Sequence, residues 1–294
     1  MTGTVLILGA TGRFGRNAAE AFERHGWDVS RFDRKTGDLM QAARGADVIV
    51  NGWNPPYDQW AKLVPDLTRQ VINAAKSAGA TVVLPGNVYV YGDPLPNVLG
   101  PDTPHRATNP LGRIRRDLEG AYRASGVQTI VMRAGDYIET EPSGNWFDTV
   151  MVKDFAKGRF VYPGRRDVTH AFAYLPDLAE ATVRVVEGRA ALSAFEDIAF
   201  SGYALTGQEL GDALAALAPQ PLKISSFNWL PVRAMSPVWK LGRHLVEMRY
   251  LWDQSHMMDN DRFNALVPGF EPTPMLTALG RAVEHQIHPK KAVA

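Results

Sequence analysis

The sequence predicts an α/β protein with a doubly wound parallel sheet, a Rossmann fold, and a smaller C-terminal α/β lobe. Over the first half of the chain, short apolar runs that suit buried strands alternate with amphipathic helical patterns, which is typical of a parallel sheet with right-handed crossovers. A glycine-rich turn follows the first of these runs, at residues 9–15. The content of 45% hydrophobic and 21% charged residues is that of an ordinary globular protein.

The glycine-rich turn joins the first predicted strand, residues 4–8, to the first predicted helix. Gly9 permits a sharp turn, Gly12 lets the backbone approach a pyrophosphate, and Gly15 lets the helix pack against the strand. Because a helix N-terminus also attracts anions, the turn predicts a dinucleotide site. The residues assigned to this site are Gly9, Thr11, Gly12, Arg13, Phe14 and Gly15.

The adenosine end of the dinucleotide is predicted to lie after the second strand, residues 27–32. Asp33 follows Gly15 by 18 residues (33 − 15), close to the spacing of about 20 at which an acidic residue binds the ribose hydroxyls. Asp33 favours NAD because a carboxylate repels a 2′-phosphate. Arg34 and Arg13 are cations of the kind expected around that phosphate. NAD(P)(H) therefore stays open, and the two cations favour NADP(H).

The third predicted strand, residues 46–51, ends in a loop that contains two prolines. Open α/β sheets bind their ligands at the carboxyl ends of the strands, so Gly52 and Trp53 are assigned to the cofactor. Trp53, Asn54 and Tyr57 either line a pocket or form a packed loop. The sequence does not separate these two interpretations.

The remaining patterns divide the chain into two parts. Residues 1–135 are predicted to form the dinucleotide-binding core, with further helices at 58–77 and 111–125 and strands at 81–85 and 127–133. Residues 136–294 are assigned mainly to a substrate-binding lobe, with 170–190 expected to return to the core. In this lobe we predict helices at 147–157, 176–187 and 239–252, a strand and turn at 159–164, a strand at 171–175 and a capping box at 206–209.

Composition excludes several classes of function. The chain has 32 basic and 31 acidic residues without a basic stripe, so nucleic-acid binding is not indicated. The absence of cysteine excludes disulfides, thiolate catalysis and cysteine-ligated metals, and no metal site is predicted. No apolar run approaches the roughly 20 residues of a membrane span, and the chain begins directly with a strand. We expect a cytoplasmic protein with a small-molecule substrate and no membrane partner, and a homodimer is compatible with the sequence.

The turn at residues 9–15 resembles the nucleotide-binding turn of the extended short-chain dehydrogenase/reductase superfamily, which includes NAD-dependent sugar-nucleotide epimerases and dehydratases. Other family segments are matched in the same order along the chain, up to about residue 210. They are Asp47-Val48-Ile49-Val50, Val90-Tyr91-Gly92, residues 133–137 and residues 172–181. The resemblance implies a nicotinamide dinucleotide as cofactor.

The catalytic residues of that family are replaced in this chain. The resemblance implies a tyrosine as acid/base, a lysine four residues later, and a serine or threonine that binds the substrate oxygen. Leu111, Arg115 and Asn87 stand at these positions. Leucine has no proton to exchange, whereas Arg115 still offers a fixed charge to the cofactor ribose and Asn87 can stabilise an oxyanion. The cofactor half of the apparatus is retained and the acid/base half is changed.

Another side chain must supply the proton if the protein is an enzyme of this kind. Tyr91 and Tyr137 are the candidate phenols, and together with Asn87 and Arg115 they form the predicted catalytic set; His170 is a weaker candidate. Tyr89 and Tyr91 alternate with valines in a strand-like run, which indicates that one of the two packs in the core.

Three functions follow from these patterns. The first is an oxidoreductase on a small carbonyl or alcohol, favoured by an aromatic and methionine-rich C-terminal third. The second is a sugar-nucleotide epimerase or dehydratase, for which that third offers few diphosphate-binding cations. The third is a non-catalytic regulator that senses NAD(P). The cations considered for a diphosphate are Arg233, Lys240, Arg243 and Arg249.

Overall fold

A computed structural model describes residues 2–35 and 37–288. Its centre is a six-stranded parallel sheet, which confirms the predicted fold class. The strands are β1 (Thr4–Leu8), β2 (Asp28–Phe32), β3 (Val48–Asn51), β4 (Thr81–Gly86), β6 (Thr129–Arg133) and β10 (Phe195–Ala199). Their spatial order is β10-β6-β4-β3-β1-β2. The order reverses between β1 and β3, and such a point opens a ligand crevice at the carboxyl ends of the strands.

Helices cover both faces of this sheet. On one face α1 packs against α5, and on the other α3 packs against α4. The helices are α1 (Arg13–Arg24), α2 (Leu39–Ala42), α3 (Trp60–Ala78), α4 (Pro110–Ser125), α5 (Leu175–Glu187), α6 (Gly207–Ala215), α7 (Leu230–Met235), α8 (Lys240–Glu247), α9 (Asp261–Leu266) and α10 (Met275–Ile287). In the described part of the chain, no helix is both long and apolar enough to cross a membrane.

The second lobe contains short strands around a separate aromatic core. One sheet has the order β11-β9-β7, and two pairs, β12-β8 and β13-β5, complete the lobe. These strands are β5 (Val98–Leu99), β7 (Asp136–Ile138), β8 (Arg159–Tyr162), β9 (Thr169–Tyr174), β11 (Tyr203–Thr206), β12 (Lys223–Ser226) and β13 (Met257–Met258). The core of the lobe is rich in rings from β8, β9 and the segments around residues 147, 229 and 252. The division of the chain at residue 135 remains a prediction.

Three local predictions differ from the structure. The run at residues 88–91 is a 3-10 turn and not a strand, because the Asn87 side chain caps it by accepting the Tyr89 N–H at 3.1 Å. The helix predicted over 147–157 is two short irregular turns at 147–151 and 155–157. The helix predicted over 239–252 is α8 followed by a 3-10 turn. The capping box at 206–209 is confirmed.

Candidate active site

The glycine turn is a close-packed junction between β1, α1 and the loop after β3. Gly9 has a φ of +73°, which favours glycine, and its carbonyl accepts the Gly12 N–H at 2.8 Å. A Cβ on Gly15 would lie 2.2 Å from the Gly9 oxygen, and one on Gly52 would lie 2.7 Å from the Leu8 oxygen. Among the described residues, no side chain caps α1 at Gly12. The amides of its first turn are therefore available to an anion.

Two of the residues assigned to this turn differ in exposure. Thr11 lies on the surface, where its hydroxyl can reach a ligand. Phe14 is 4% exposed and packs in the core between α1 and α5. Its backbone N–H, and not its ring, is the group that can contact a cofactor.

The residues assigned to the adenosine end lie together after β2 and β3. The Asp33 Oδ1 accepts the Lys35 N–H at 2.8 Å. The Arg34 guanidinium lies 5.8 Å from the centre of the Trp53 ring, and this ring packs on Phe32. The tertiary structure thus brings a carboxylate, a cation and an aromatic ring to one edge of the sheet.

Arg13 points to the second lobe. Its Nε donates to the Ser143 carbonyl at 2.8 Å, and its charge acts on the phenols of Tyr57 and Tyr137. Arg34 is therefore the cation that stands next to Asp33 in sequence and remains at the adenosine end. Arg13 therefore does not lie with Arg34 at the position expected for a 2′-phosphate.

The three residues predicted to stand at the positions of the family's catalytic trio make structural contacts. Leu111 is fully buried, and its backbone N–H donates to the Glu247 carboxylate at 2.7 Å. The Asn87 carbonyl accepts from Arg133 at 2.6 Å. Arg115 donates to the Pro85 carbonyl at 2.7 Å and lies 6.0 Å from the centre of the Trp60 ring. Burial lowers the pKa of Arg115, but a guanidinium keeps its charge at neutral pH.

Three half-buried phenols lie near Arg115. The hydroxyls of Tyr57 and Tyr89 are 2.7 Å apart. Burial raises the pKa of Tyr137 to about 12, while the charges of Arg115 and Arg13 act in the opposite direction. Burial likewise raises the pKa of Tyr57 and of Tyr89. All three phenols are protonated at neutral pH and can donate a hydrogen bond. From the sequence, Tyr57 was expected either to line a pocket or to belong to a packed loop, and not to pair with another phenol.

Tyr91 has a different environment. It is 2% exposed, and its hydroxyl donates to the Gly100 carbonyl at 3.3 Å. The Arg133 guanidinium lies 5.5 Å from the centre of its ring. Burial raises the pKa of the Tyr91 hydroxyl. Its role as an acid/base remains a prediction, although its present contacts are those of a core side chain.

His170 connects the phenol region to the second lobe. Its Nε2 lies 2.8 Å from the Asp136 carboxylate, directly before Tyr137 in β7. Its ring stacks on Trp252 at 4.1 Å between centroids and 4° between planes. His256 packs edge-on to His170, and burial together with the electrostatic effect of the neighbouring His170 ring lowers the pKa of His256 to about 3. His256 is therefore neutral at physiological pH.

A cavity of about 660 Å³ opens on the second lobe. We call it the arginine cavity, and the residues that line it include Arg165, Arg166, Asp167, Phe227, Trp229, Arg249 and Asp253. Arg165 pairs with Asp167 at 2.6 Å, and Arg249 lies 3.3 Å from Asp253 and over the Trp229 ring at 5.6 Å. Three arginines face two aspartates, so the cavity suits an anionic ligand.

The arginine cavity lies beside Trp252. The Arg165 N–H donates to the Trp252 carbonyl at 3.1 Å, and the Trp252 ring stacks on His170. Arg165 and Arg166 were not among the cations considered from the sequence. The available signal was the Pro163-Gly164 turn after β8, which directs a following Arg-Arg-Asp to the surface.

A buried ion cluster lies next to Tyr91. Arg133 donates to Glu119 at 2.7 Å and to Asp197 at 2.6 Å. One ligand atom from each of His105, Glu119 and Asp197 lies within 4.8 Å of the others. Because one nitrogen of Arg133 already binds both carboxylates, the cluster has its own cation. This arrangement anchors α4 to the last residue of β6 and the middle of β10.

No protein-family model and no curated protein matches the sequence. Solved structures match over nearly the full chain. A UDP-glucuronic acid 4-epimerase from Bacillus cereus in complex with NAD is 14% identical, covers 97% of this chain and 96% of its own, and has a TM-score of 0.72. WbmH of Bordetella bronchiseptica in complex with NAD+ is 17% identical, with coverages of 98% and 99% and a TM-score of 0.73.

A third similar structure is MoeE5 in complex with UDP-glucose and NAD. It is 16% identical, covers 97% of this chain and 98% of its own, and has a TM-score of 0.73. At this level of identity the likeness shows the fold. The fold implied by the resemblance to extended short-chain dehydrogenases/reductases is therefore confirmed over both lobes.

Proposed function

We propose that the protein is a nicotinamide-dinucleotide-dependent enzyme that acts on a substrate of the nucleotide-sugar kind. The observation that carries this proposal is the arginine cavity. Its three arginines suit a diphosphate, and the rings of Phe227 and Trp229 suit a planar base. A small carbonyl or alcohol needs neither feature. The UDP-sugars named with two of the structural neighbours support the same substrate class.

The glycine turn is the proposed coenzyme site. The amides after Gly12 would hold the pyrophosphate, Asp33 would accept the ribose hydroxyls, and Gly52 allows close approach. A bound nicotinamide supplies hydride acceptance and donation. We propose NAD(H) and not NADP(H). Arg13 is hydrogen-bonded to the Ser143 carbonyl, so Arg34 is the one of the two arginines that stays beside Asp33. The Asp33 carboxylate would repel a 2′-phosphate. The NAD in the neighbouring structures supports this choice.

We propose Tyr137 as the acid/base. The phenol is the form present at neutral pH and would give its proton to a substrate carbonyl oxygen, and the phenolate would take a proton from a substrate hydroxyl in the opposite step. The resulting phenolate would be stabilised by Arg115 and Arg13, whose charges already favour it. Asn87 would donate its amide N–H to the same oxygen. The Asp136–His170 pair would hold the start of β7, and hence the Tyr137 backbone, in place.

A non-catalytic NAD-sensing regulator is the second candidate. It is favoured by Leu111, which is buried at the family's catalytic position and tied to Glu247. Such a protein would bind coenzyme tightly and turn over no substrate. The oxidoreductase on a small carbonyl or alcohol is the third candidate, and it would use the coenzyme without the arginine cavity.

The test has two stages. Fluorescence titration of the purified protein with NADH and NADPH should give tighter binding of NADH. Incubation with NAD and UDP-glucose or UDP-glucuronic acid, followed by mass spectrometry and chromatography, should reveal a changed sugar. Tight coenzyme binding without conversion of any nucleotide sugar would overturn the enzyme proposal, and reduction of a panel of small carbonyls would restore the third candidate.

A further inference from the structure

One segment of the second lobe exposes an unusual amount of apolar surface. Nine large hydrophobic side chains are exposed among the described residues, and five of them lie within residues 230–241. Leu230 and Val238 are 71% and 80% exposed. Single exposed apolar residues are normal on protein surfaces, whereas a concentration of them marks an interaction site. The five are Leu230, Met235, Val238, Trp239 and Leu241.

The segment is held to the lobe by its ends and not by these side chains. At its start, Trp229 is 7% exposed and its indole N–H donates to the Pro163 carbonyl at 2.5 Å. At its end, the Glu247 carboxylate accepts from the Leu111 N–H at 2.7 Å. Between them α7 packs against α8. The exposed apolar side chains are therefore not needed to fasten the segment.

The same segment carries only positive charge. Residues 213–246 contain four lysines and arginines and no carboxylate. Three of the cations, Arg233, Lys240 and Arg243, are exposed between or beside the apolar side chains. Glu247, which is bonded as described, follows this stretch directly, and Asp58 lies in the turn against which α8 packs. The surface therefore combines a tryptophan, aliphatic side chains and excess positive charge.

We propose that this surface, formed by the five apolar residues and the three cations, docks on an anionic lipid bilayer. We call it the basic apolar surface. Tryptophan and aliphatic side chains enter the boundary between headgroups and acyl chains, while lysine and arginine bind the anionic headgroups. Docking of this kind needs no membrane-spanning helix. It is independent of the proposed enzymatic function.

A second copy of the chain fits the surface less well. A twofold dimer sets the same patch against itself, so the three cations of one copy would face the three cations of the other. The cores of protein interfaces are also depleted in lysine. An anionic bilayer accommodates the exposed apolar side chains in its interior and binds the three cations through its headgroups.

The test is sedimentation of the full-length protein with lipid vesicles. The protein should bind vesicles of phosphatidylcholine and phosphatidylglycerol at 3:1, bind pure phosphatidylcholine at least tenfold more weakly, and be released by raised salt. Replacing Arg233, Lys240 and Arg243 by glutamine should weaken binding about fivefold each, and on the order of a hundredfold together. Tryptophan emission quenched by brominated lipid should lose its quenching in Trp239→Phe.

The apolar contribution has a matched control. The triple variant Val238→Gln, Trp239→Gln and Leu241→Gln should bind the anionic vesicles at least tenfold more weakly. The variant Met40→Gln, Met257→Gln changes apolar residues of similar exposure elsewhere, at 44% and 41%, and should bind like the wild type. All these residues are exposed, so the thermal midpoints should agree.

Three results would overturn the proposal. Failure to bind either kind of vesicle would contradict docking on a bilayer, and equal binding to both would contradict the role of the three cations. Light scattering could instead show a dimer that the triple apolar variant dissociates, without any vesicle binding. That last result would assign the basic apolar surface to a second copy of the chain.

Discussion

The glycine turn and the arginine cavity, the two proposed ligand sites, are built in different ways. The turn consists of residues 9–15 together with Gly52, and backbone atoms are in direct contact there. A methyl group added at Gly15 would lie 2.2 Å from the Gly9 carbonyl oxygen. The arginine cavity is formed by segments around residues 165, 227 and 249, and its cations stand on long side chains. The first site is a rigid backbone surface, whereas the second can adjust to its ligand.

This difference has a consequence for substitution. At the turn, the backbone atoms that form the structure are also the proposed binding groups, so a change of side chain would alter both. In the arginine cavity, a side chain can be replaced while the supporting backbone remains. We therefore expect the largest effects at the turn and smaller, separable effects in the second lobe.

The largest effect is expected for Gly15→Val. Its side chain would overlap the Gly9 carbonyl and move α1 away from the coenzyme, so the dissociation constant of NADH should rise more than about a hundredfold. Gly120→Ala is the matched control because no atom lies within 4 Å of its added Cβ. It should bind NADH normally. Normal NADH binding by Gly15→Val, measured by fluorescence titration, would show that the turn is not the coenzyme site.

The next effect concerns the two candidate phenols. Tyr137→Phe should lower kcat by about 10² to 10⁴, because it removes the proton donor. Tyr91→Phe removes a hydroxyl that is bonded to the Gly100 carbonyl and should change kcat by a few-fold at most. Steady-state kinetics on a nucleotide sugar decide between them, with NADH affinity as the control. The opposite ranking would assign the acid/base to Tyr91.

A smaller effect is expected in the arginine cavity. Arg249→Gln removes a cation that stacks on Trp229 and should raise KM for a UDP-sugar about tenfold to a hundredfold with little change in kcat. Arg69→Gln, at an arginine of α3 that pairs with Asp66, is the matched control and should leave KM unchanged. An unaltered KM in Arg249→Gln would exclude the cavity as the anion site.

The smallest effect is expected for the ion pairs that connect the end of α1 to α5. His25, after α1, lies 3.0 Å from both Glu180 and Glu187. Burial opposes its charge, but these carboxylates raise its pKa above 6.5. The stabilisation is therefore full below about pH 6.5 and is lost as pH rises through the raised pKa. Relative to His25→Asn, the wild type should be more stable by at most about 1 kcal/mol at pH 5.5 and by less at pH 8.5. Urea unfolding measures this difference, and a difference that does not change with pH would contradict it.

The central sheet could be predicted from the sequence because the patterns that indicate it are local. An apolar run, a glycine turn and a helical pattern each lie within about twenty residues, and parallel strands follow from their alternation. The turn of residues 9–15 and the capping box at Thr206 needed no knowledge of the rest of the chain. The second lobe was harder because its helices are short and irregular, as at residues 147–157, and aromatic packing holds them in place.

The composition and order of residues were sufficient to predict the α/β class and the glycine turn, whereas the replacement of the family's tyrosine by Leu111 stays a prediction. They were insufficient to predict the direction of the Arg13 side chain, the hydrogen bond between Tyr57 and Tyr89, and the position of both Arg165 and Arg249 on the lining of one cavity. These three features join segments that are 32 to 130 residues apart, and the bond from Arg13 to Ser143 also depends on how the two lobes pack. Local patterns specify elements, whereas the convergence of long side chains is set by tertiary contacts that no local pattern contains.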